Sequence, residues 1–470
     1  MKYISTRQNS PALNFEEVVL QGLAVDGGLY VPEFFPKFSL HELEDMAKLD
    51  YVDLAFKIIS PFVNHEIPDE DLKDIIQRSY QNFSHGAIAP TKQISHNEYL
   101  LELFHGPTLA FKDFALQMLG NFFDYFLTKR KEKVTIIGAT SGDTGSAAIM
   151  GCKACKNADI FILHPHNKVS DVQRKQMTTV IAPNVTNIAL KGNFDDCQAM
   201  VKTMFSDQKF LGGRKMVAVN SINWARIMVQ IVYYFYCGTR VGMNKRFPAS
   251  FSVPTGNFGD IYAGYIAKKM GLPISKLIVA TNHNDILTRF IRHNDYSTKE
   301  LIETLSPSMN IQVSSNFERL LFDAHQNFAL GKNVGKLMQK FEAEKTLKVS
   351  DAVLKFITDH FSSYSVSDKE TLELIKKLYE ETEEIIDPHS IIGIGAGRKY
   401  MEDKNYKGEA IITLATAHPA KFPEAIKKSL GFEAKLPNFL ADLDDRKEKM
   451  EVLPNDIEVV KEFIGKNLSK

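Results

Sequence analysis

The chain has 470 residues, 44% of them apolar and 24% charged, which is enough for two to four globular cores and too apolar for bulk disorder. Its 57 Lys and Arg balance 57 Asp and Glu, so no global basic field gathers nucleic acid. Four cysteines in this length exclude a disulfide framework and suit a reducing, cytoplasmic compartment.

Met1 to Ser10 carry Lys2 and Arg7 and lack the apolar run of a signal peptide. Residues 1 to about 90 join a turn-rich opening at Val25-Asp26-Gly27-Gly28 to amphipathic helical patterns at Asp50–Ser60 and Asp69–Phe83. From about 98 to 285, short β-branched runs alternate with helical stretches. The runs are Val134–Ile137, Ile160–Leu163, Val185–Leu190, Met216–Val219, Ser250–Val253 and Leu277–Ala280. This alternation predicts an α/β fold with parallel sheets and helices on both faces.

Helical patterns then dominate about 286–386 and read as an insertion before a last core strand at Ala410–Leu414. The longest greasy stretch, Ile227–Cys237, contains Gln230 and is well short of the roughly 18–20 residues a membrane span needs.

Four segments carry candidate chemistry. Gly138-Ala139-Thr140-Ser141-Gly142-Asp143-Thr144-Gly145 stands between a strand and a helix, where free backbone amides and the helix dipole favour an anion. It is not a Walker A loop, and a tight αβ turn explains it as well. Pro254-Thr255-Gly256-Asn257-Phe258-Gly259-Asp260 repeats the arrangement. Two such loops in one sheet converge on one crevice, suited to a ligand with two anionic groups or to two ligands.

In His105–Phe114, Lys112 has strongly apolar company at the start of a helix. It reads as a snorkelling lysine or as a desolvated amine fit for Schiff-base chemistry. Thr416, in Leu414-Ala415-Thr416-Ala417-His418-Pro419-Ala420-Lys421, closes the last strand on the same edge, as a helix cap or as a ligand group.

Other motifs carry less. Cys152 and Cys155 form one C-x-x-C, read as core packing because no second pair follows. Gly393-Ile394-Gly395-Ala396-Gly397-Arg398 puts Arg398 where a dinucleotide fingerprint needs its third glycine, and reads as a close-packed helix. No H-E-x-x-H and no G-x-S-x-G occurs, so neither a zinc site nor an esterase elbow is expected.

Taken together, His-Gly-Pro-Thr-Leu-Ala-Phe-Lys-Asp, Ser-Gly-Asp-Thr-Gly, Gly-Asn-Phe-Gly-Asp and Thr-Ala-His-Pro-Ala-Lys resemble the threonine synthase family, a branch of the tryptophan-synthase β-like pyridoxal-phosphate enzymes. The resemblance spans the chain, from Tyr3–Arg7 and Gly22–Pro32 through Asn220–Arg226, Ser306–Met309 and Ser315–Arg319 to Asp387-Pro388-His389. It is similar to the long bacterial and fungal branch.

The resemblance implies fold type II, with two open, mostly parallel sheets. It implies an N-terminal region over 1–90 and a catalytic core over 91–470, with a smaller α/β subdomain at about 130–240. It implies a lyase that uses pyridoxal 5'-phosphate to convert O-phospho-L-homoserine and water to L-threonine and phosphate, without metal, nucleic acid, membrane or obligate protein partner.

By the same resemblance, Lys112 matches the cofactor-bearing lysine. Gly256, Asn257, Phe258, Gly259 and Asp260 match the cofactor-phosphate loop, and Thr416 faces the pyridine nitrogen. Ser141, Gly142, Asp143 and Thr144 match the substrate-carboxylate loop. Ser221, Asn223 and Arg226 fall in the substrate-phosphate segment, with Arg226 the main contact. The rivals are another lyase of the fold, such as a serine/threonine dehydratase, and a catalytically silent binding homologue. The phosphate segment argues against the first, and the intact Lys112 with both anion loops against the second.

Overall fold

In the computed structural model the described residues are 1–328 and 333–469; residues 329–332, inside the predicted helical stretch, and 470 lie outside them. The strands in chain order are β1 (Tyr3–Ser5), β2 (Tyr30–Pro32), β3 (Thr91–Gln93), β4 (Glu98–Glu102), β5 (Val134–Ala139), β6 (Ala158–Pro165), β7 (Val185–Lys191), β8 (Lys215–Val217), β9 (Ala249–Pro254), β10 (Ile274–Thr281), β11 (Phe361–Ser365), β12 (Ala410–Ala415) and β13 (Glu451–Pro454).

Two sheets form the frame. The larger runs β11-β10-β9-β12-β4-β3 and the smaller β13-β7-β6-β5-β8, while β1 and β2 make an antiparallel pair. Every pairing in the two sheets is parallel except β3 with β4. This is the predicted pair of open, mostly parallel sheets. All eight residues of β6 are buried, as expected of a parallel strand covered on both faces.

The greasy stretch at Ile227–Cys237 lies in the Trp224–Arg240 helix, where every residue but Arg240 is buried. A helix apolar all round belongs inside a core. No helix among the described residues is long and apolar enough to cross a membrane.

The helices Lys112–Arg130 and Asp143–Cys152 cross at bare backbone. A methyl group on Gly120 would sit 2.0 Å from the Gly151 carbonyl oxygen, and one on Gly151 would sit 2.2 Å from that of Leu116. Glycine at both positions permits this approach. It brings the two helix N-termini, with Lys112 and Asp143, into one crevice.

Two expectations need correction. The stretch 286–386 is not nearly all helix: it contributes β11 to the edge of the large sheet, paired with β10 from Leu277↔Phe361 to Thr281↔Ser365. Residues 294–316 are mostly irregular, broken by a single 3₁₀ turn at Pro307–Met309. The strand expected as the last, Ala410–Leu414, is not the last either. β13 pairs with β7 and joins the small sheet, and the Ile457–Lys466 helix packs Val460 and Ile464 against Met200, Met204 and Leu211.

The Gly393–Gly397 glycines lie in the Pro388–Met401 helix, as read from the sequence. An added methyl on Gly393 would meet Thr413 of β12 at 2.8 Å. All four cysteines are free and buried, and no cluster among the described residues could hold a metal ion.

Candidate active site

A cavity of about 650 Å³ opens at the carboxyl ends of β5, β9 and β12, where open α/β sheets bind ligands, so the two glycine loops converge from two sheets and not from one as expected. Lys112, Ser141, Asp143, Thr144, the Gly256–Asp260 loop, Arg226 and Thr416 all face it.

Lys112 begins its helix directly after a segment pinned to the last strand: Phe111 N–H donates to Thr416 O at 2.9 Å, and Ala110 bridges Ala417. Thr108 donates its N–H and its hydroxyl to Asp113, each at 2.8 Å, closing the helix start. Burial pushes the Asp113 carboxyl up to about 6, while the bonds from Thr108 oppose it.

The Lys112 amine lies 3.1 Å from Asp143 Oδ2, and its side chain is only 12% exposed. Burial lowers its pKa; the nearby cations Lys421 and Arg226 act in the same direction, against Asp143. This is the desolvated amine, not the snorkelling lysine.

Asp143 is the hub. Its Oδ1 meets Lys421 Nζ at 2.8 Å and accepts from Gln173 Nε2 at 2.9 Å, while Ser308 Oγ approaches Oδ2 at 3.3 Å. Burial alone would raise this carboxyl, but the lysine amines beside it, Lys112 and Lys421, outweigh it and hold the group well below the usual range. A carboxylate so placed is a poor host for a second one. The Gly142 amide is committed to Thr140 Oγ1 at 3.0 Å, and Gly142 is not among the residues facing the cavity. On the cavity wall this loop presents Ser141 and Thr144 beside the committed carboxylate of Asp143.

The second loop is held open by backbone geometry. A methyl on Gly256 would fall 2.8 Å from Ser308 O. Phe258 adopts φ 63°, a strained conformation for a bulky residue, with its ring packed on Phe317 and Phe361. The Gly259–Lys269 helix then points its first amides into the cavity. The Asp260 carboxyl turns to Tyr233 and Tyr234, both of which donate to Oδ1. Burial pushes it up to about 7.

Thr416 follows β12 and is buried. Its N–H donates to Ser390 Oγ at 2.8 Å, and Ser390 in turn donates to Asp387 at the cap of the Pro388–Met401 helix.

Arg226 is 3% exposed and makes no ion pair among the described residues. Its one recorded side-chain contact is a long one, Nη1 to Val219 O at 3.4 Å, and Nε has no partner. Burial lowers the guanidinium to about 10, which leaves it cationic at neutral pH. Ser221 borders the same cavity, whereas Asn223 does not. The Asn223 amide group instead caps the Trp224–Arg240 helix through Ala225 N–H at 3.0 Å and donates to Val19 O at 2.9 Å. The structure therefore does not bring Asn223 together with Ser221 and Arg226 at the cavity wall.

The motif reading assigned no role to several residues that build this site. Asn316 Nδ2 donates to Asn257 O at 2.9 Å and to Ser221 O at 3.2 Å, joining the Gly256–Asp260 loop to the Asn220–Arg226 segment. The fully buried Arg319 ties Asn316 and Ile222 O to Tyr30 O of β2. Lys421 had the same signal as Lys112, a lysine among apolar neighbours directly after a strand end, here in Ala-His-Pro-Ala-Lys-Phe-Pro.

These features fit pyridoxal phosphate: a buried amine with a lowered pKa for its carbonyl, a helix N-terminus behind a loop with no room for a side chain at Gly256 for its phosphate, and a neutral strand-end hydroxyl for its ring. Residues 87–331 match the family profile described as pyridoxal-phosphate dependent enzyme. Residues 2–80 and 390–464 match the profiles described as threonine synthase N terminus and threonine synthase, C-terminal.

Threonine synthase from Pseudomonas aeruginosa is 55% identical over 99% of this chain and 98% of its own. That from Saccharomyces cerevisiae is 43% identical over 100% and 98%. The crystal structure of threonine synthase from Brucella melitensis with bound pyridoxal phosphate superposes with a TM-score of 0.96, at 46% identity and 99% coverage of both chains.

Fold and site thus define a pyridoxal-phosphate-dependent lyase of the tryptophan-synthase β type. Within that class, the chain belongs to the threonine synthase family.

Proposed function

We propose that the chain converts O-phospho-L-homoserine and water to L-threonine and phosphate in this cavity, with Lys112 as the covalent anchor of the cofactor. The amides of Gly256, Asn257, Phe258, Gly259 and Asp260 hold the cofactor phosphate, and the Thr416 hydroxyl faces the ring nitrogen. Bound there, pyridoxal phosphate supplies an electron sink conjugated with the substrate's Cα.

The chain's own groups do the rest. Ser141 and Thr144 receive the substrate carboxylate and fix which Cα bond is aligned for cleavage. The Lys112 amine takes the Cα proton and serves the proton transfers at Cβ and Cγ, because one amine at close range reaches all three carbons. Arg226, with Ser221 at the rim, stabilises the phosphate dianion as the Cγ–O bond breaks. Thr416 is neutral, so it does not hold the ring nitrogen protonated as a carboxylate would, and the electron sink is milder.

The observation that carries this reading is Arg226: a buried cation with an unpartnered Nε, facing the same cavity as the catalytic amine. A buried charge without a partner is costly and implies an anion that arrives with the ligand. Arg226→Ala is expected to lower kcat/KM for phosphohomoserine by roughly 30-fold to several thousand-fold, about 2–5 kcal/mol, while cofactor content stays at the wild-type level. Phosphate release assayed beside cofactor content checks this. A near-normal kcat/KM, or a loss fully explained by missing cofactor, returns Arg226 to a packing role.

A further inference from the structure

Lys421 lies outside the roles assigned above, yet its ammonium group is fully buried and touches the site's central carboxylate. Its Nζ is 2.8 Å from Asp143 Oδ1 and 2.7 Å from Thr108 O. Its backbone is fixed in the short turn Pro419–Lys421, which His418 caps, and Ser170 Oγ reaches Lys421 O at 3.4 Å. On the other side of the same carboxylate, Lys112 has the longer 3.1 Å contact and opens to the cavity.

One carboxylate thus serves two amines in a desolvated place, with the Arg226 cation also near. Two ammonium groups on one buried carboxylate leave an uncompensated charge, and releasing a single proton removes it. The proton rests where it is best held. Lys421 has two short acceptors, one of them charged, whereas Lys112 has one longer contact and two neighbouring cations that repel charge on it.

We infer that Lys421 is the resident counter-ion of Asp143 and that Lys112, on the other oxygen, stands as the neutral amine. Lys421 is then a positioning residue. It leaves Lys112 free to attack a carbonyl and to act as a base, and it keeps Asp143 anionic when Lys112 is engaged elsewhere. Other charged or titratable groups facing the cluster are Arg226, Asp260 from the Gly259–Lys269 helix, His389 from the Pro388–Met401 helix, and Asp113 beside Lys421. The consequence for catalysis rests on the reading of Lys112 as the cofactor-bearing lysine.

The test is made on the full chain freed of cofactor, with folding checked by circular dichroism and thermal melting. Brief acetic anhydride labelling from about pH 6 to about pH 11, with the Lys112 peptide quantified by mass spectrometry, gives the midpoint at which its amine becomes nucleophilic. In the wild type this midpoint is expected well below the ordinary lysine value of about 10.4. Lys421→Met and Lys421→Gln are expected to raise it by about one pH unit or more, and to slow cofactor capture near neutral pH about tenfold. Lys421→Arg, which keeps the charge, is expected to stay near the wild type.

A purely structural Lys421 would lower the melting temperature without moving the Lys112 midpoint. An unmoved midpoint in folded Lys421→Met or Lys421→Gln overturns the inference, as does Lys421→Arg behaving like Lys421→Met. Should the neutral variants not fold, the wild-type midpoint decides: a value at or above the ordinary lysine range overturns the inference, and a depressed one supports it. Borohydride reduction of the holoenzyme separates the two readings. A cofactor adduct on another lysine removes Lys112 as the anchor but leaves its titration unchanged.

Discussion

Asp260 sits in a glycine loop that reads as a phosphate cradle, yet its carboxyl faces two tyrosines beneath the cavity. Burial raises this group to about 7, so the folded chain keeps a proton that the unfolded chain releases above about pH 4. The stability it contributes is therefore fully present below about pH 4 and lost as the pH climbs toward 7. Between about pH 5 and pH 7 the loss is on the order of 2 kcal/mol, at about 1.4 kcal/mol for each tenfold change in proton affinity. Asp260→Asn is expected to remove that component. Urea unfolding of the cofactor-free chain at the two pH values checks it, and parallel wild-type and variant curves would refute it. The residue types that meet at the site were legible, because Lys112, Thr416 and the glycine loops declare themselves by neighbours and spacing. The direction of side chains was not. Nothing in Asn223 or Asp143 as letters says that one caps a helix or that the other faces two lysines.

Loops and crossings set the site's tolerance to change. At Gly256 an added methyl meets the Ser308 carbonyl oxygen at 2.8 Å, whereas at Gly259 the nearest atoms are side-chain ends, Ile227 Cδ1 at 3.3 Å and Asn316 Nδ2 at 3.4 Å. Backbone yields less readily than a side-chain tip. Gly256→Ala is therefore expected to lose several-fold more cofactor on dialysis than Gly259→Ala, as read from the absorbance of retained pyridoxal phosphate. Equal retention would mean that Ser308 moves aside. Apart from β4, which lies between β12 and β3 and was missed, the core strands were legible because parallel strands buried on both faces read as continuous apolar runs. β11 and β13 were not. Phe361-Ser-Ser-Tyr-Ser is half polar and lies at a sheet edge, and Glu451-Val-Leu-Pro is short and ends in proline. Edge strands need no two-faced apolar pattern, so composition does not reveal them.

Across the whole molecule, the two ends of the chain hold the two halves of the site. Near the N-terminus, Tyr30 O anchors Arg319 and, through Asn316, the Gly256–Asp260 loop and the Ser221 segment. Toward the C-terminus, Glu448 pairs with Arg174 at 2.9 Å, and β13 extends the sheet that carries Asp143. Removing residues 451–470 bares the β7 edge and the Met200–Leu211 face. Backbone amides of β7 are then expected to exchange at least tenfold faster, an opening easier by about 1.4 kcal/mol or more, while those of β9 and β10 change little. Uniform exchange across both sheets would show that the tail does not stabilise the small sheet separately.

Turnover in ¹⁸O-water tests whether the chain breaks the Cγ–O bond of O-phospho-L-homoserine and adds water at Cβ. One heavy oxygen is expected in the hydroxyl of L-threonine and none in the released phosphate, which departs with the bridging oxygen. Heavy oxygen in the phosphate with homoserine as the product would mean simple ester hydrolysis and would overturn the proposed reaction.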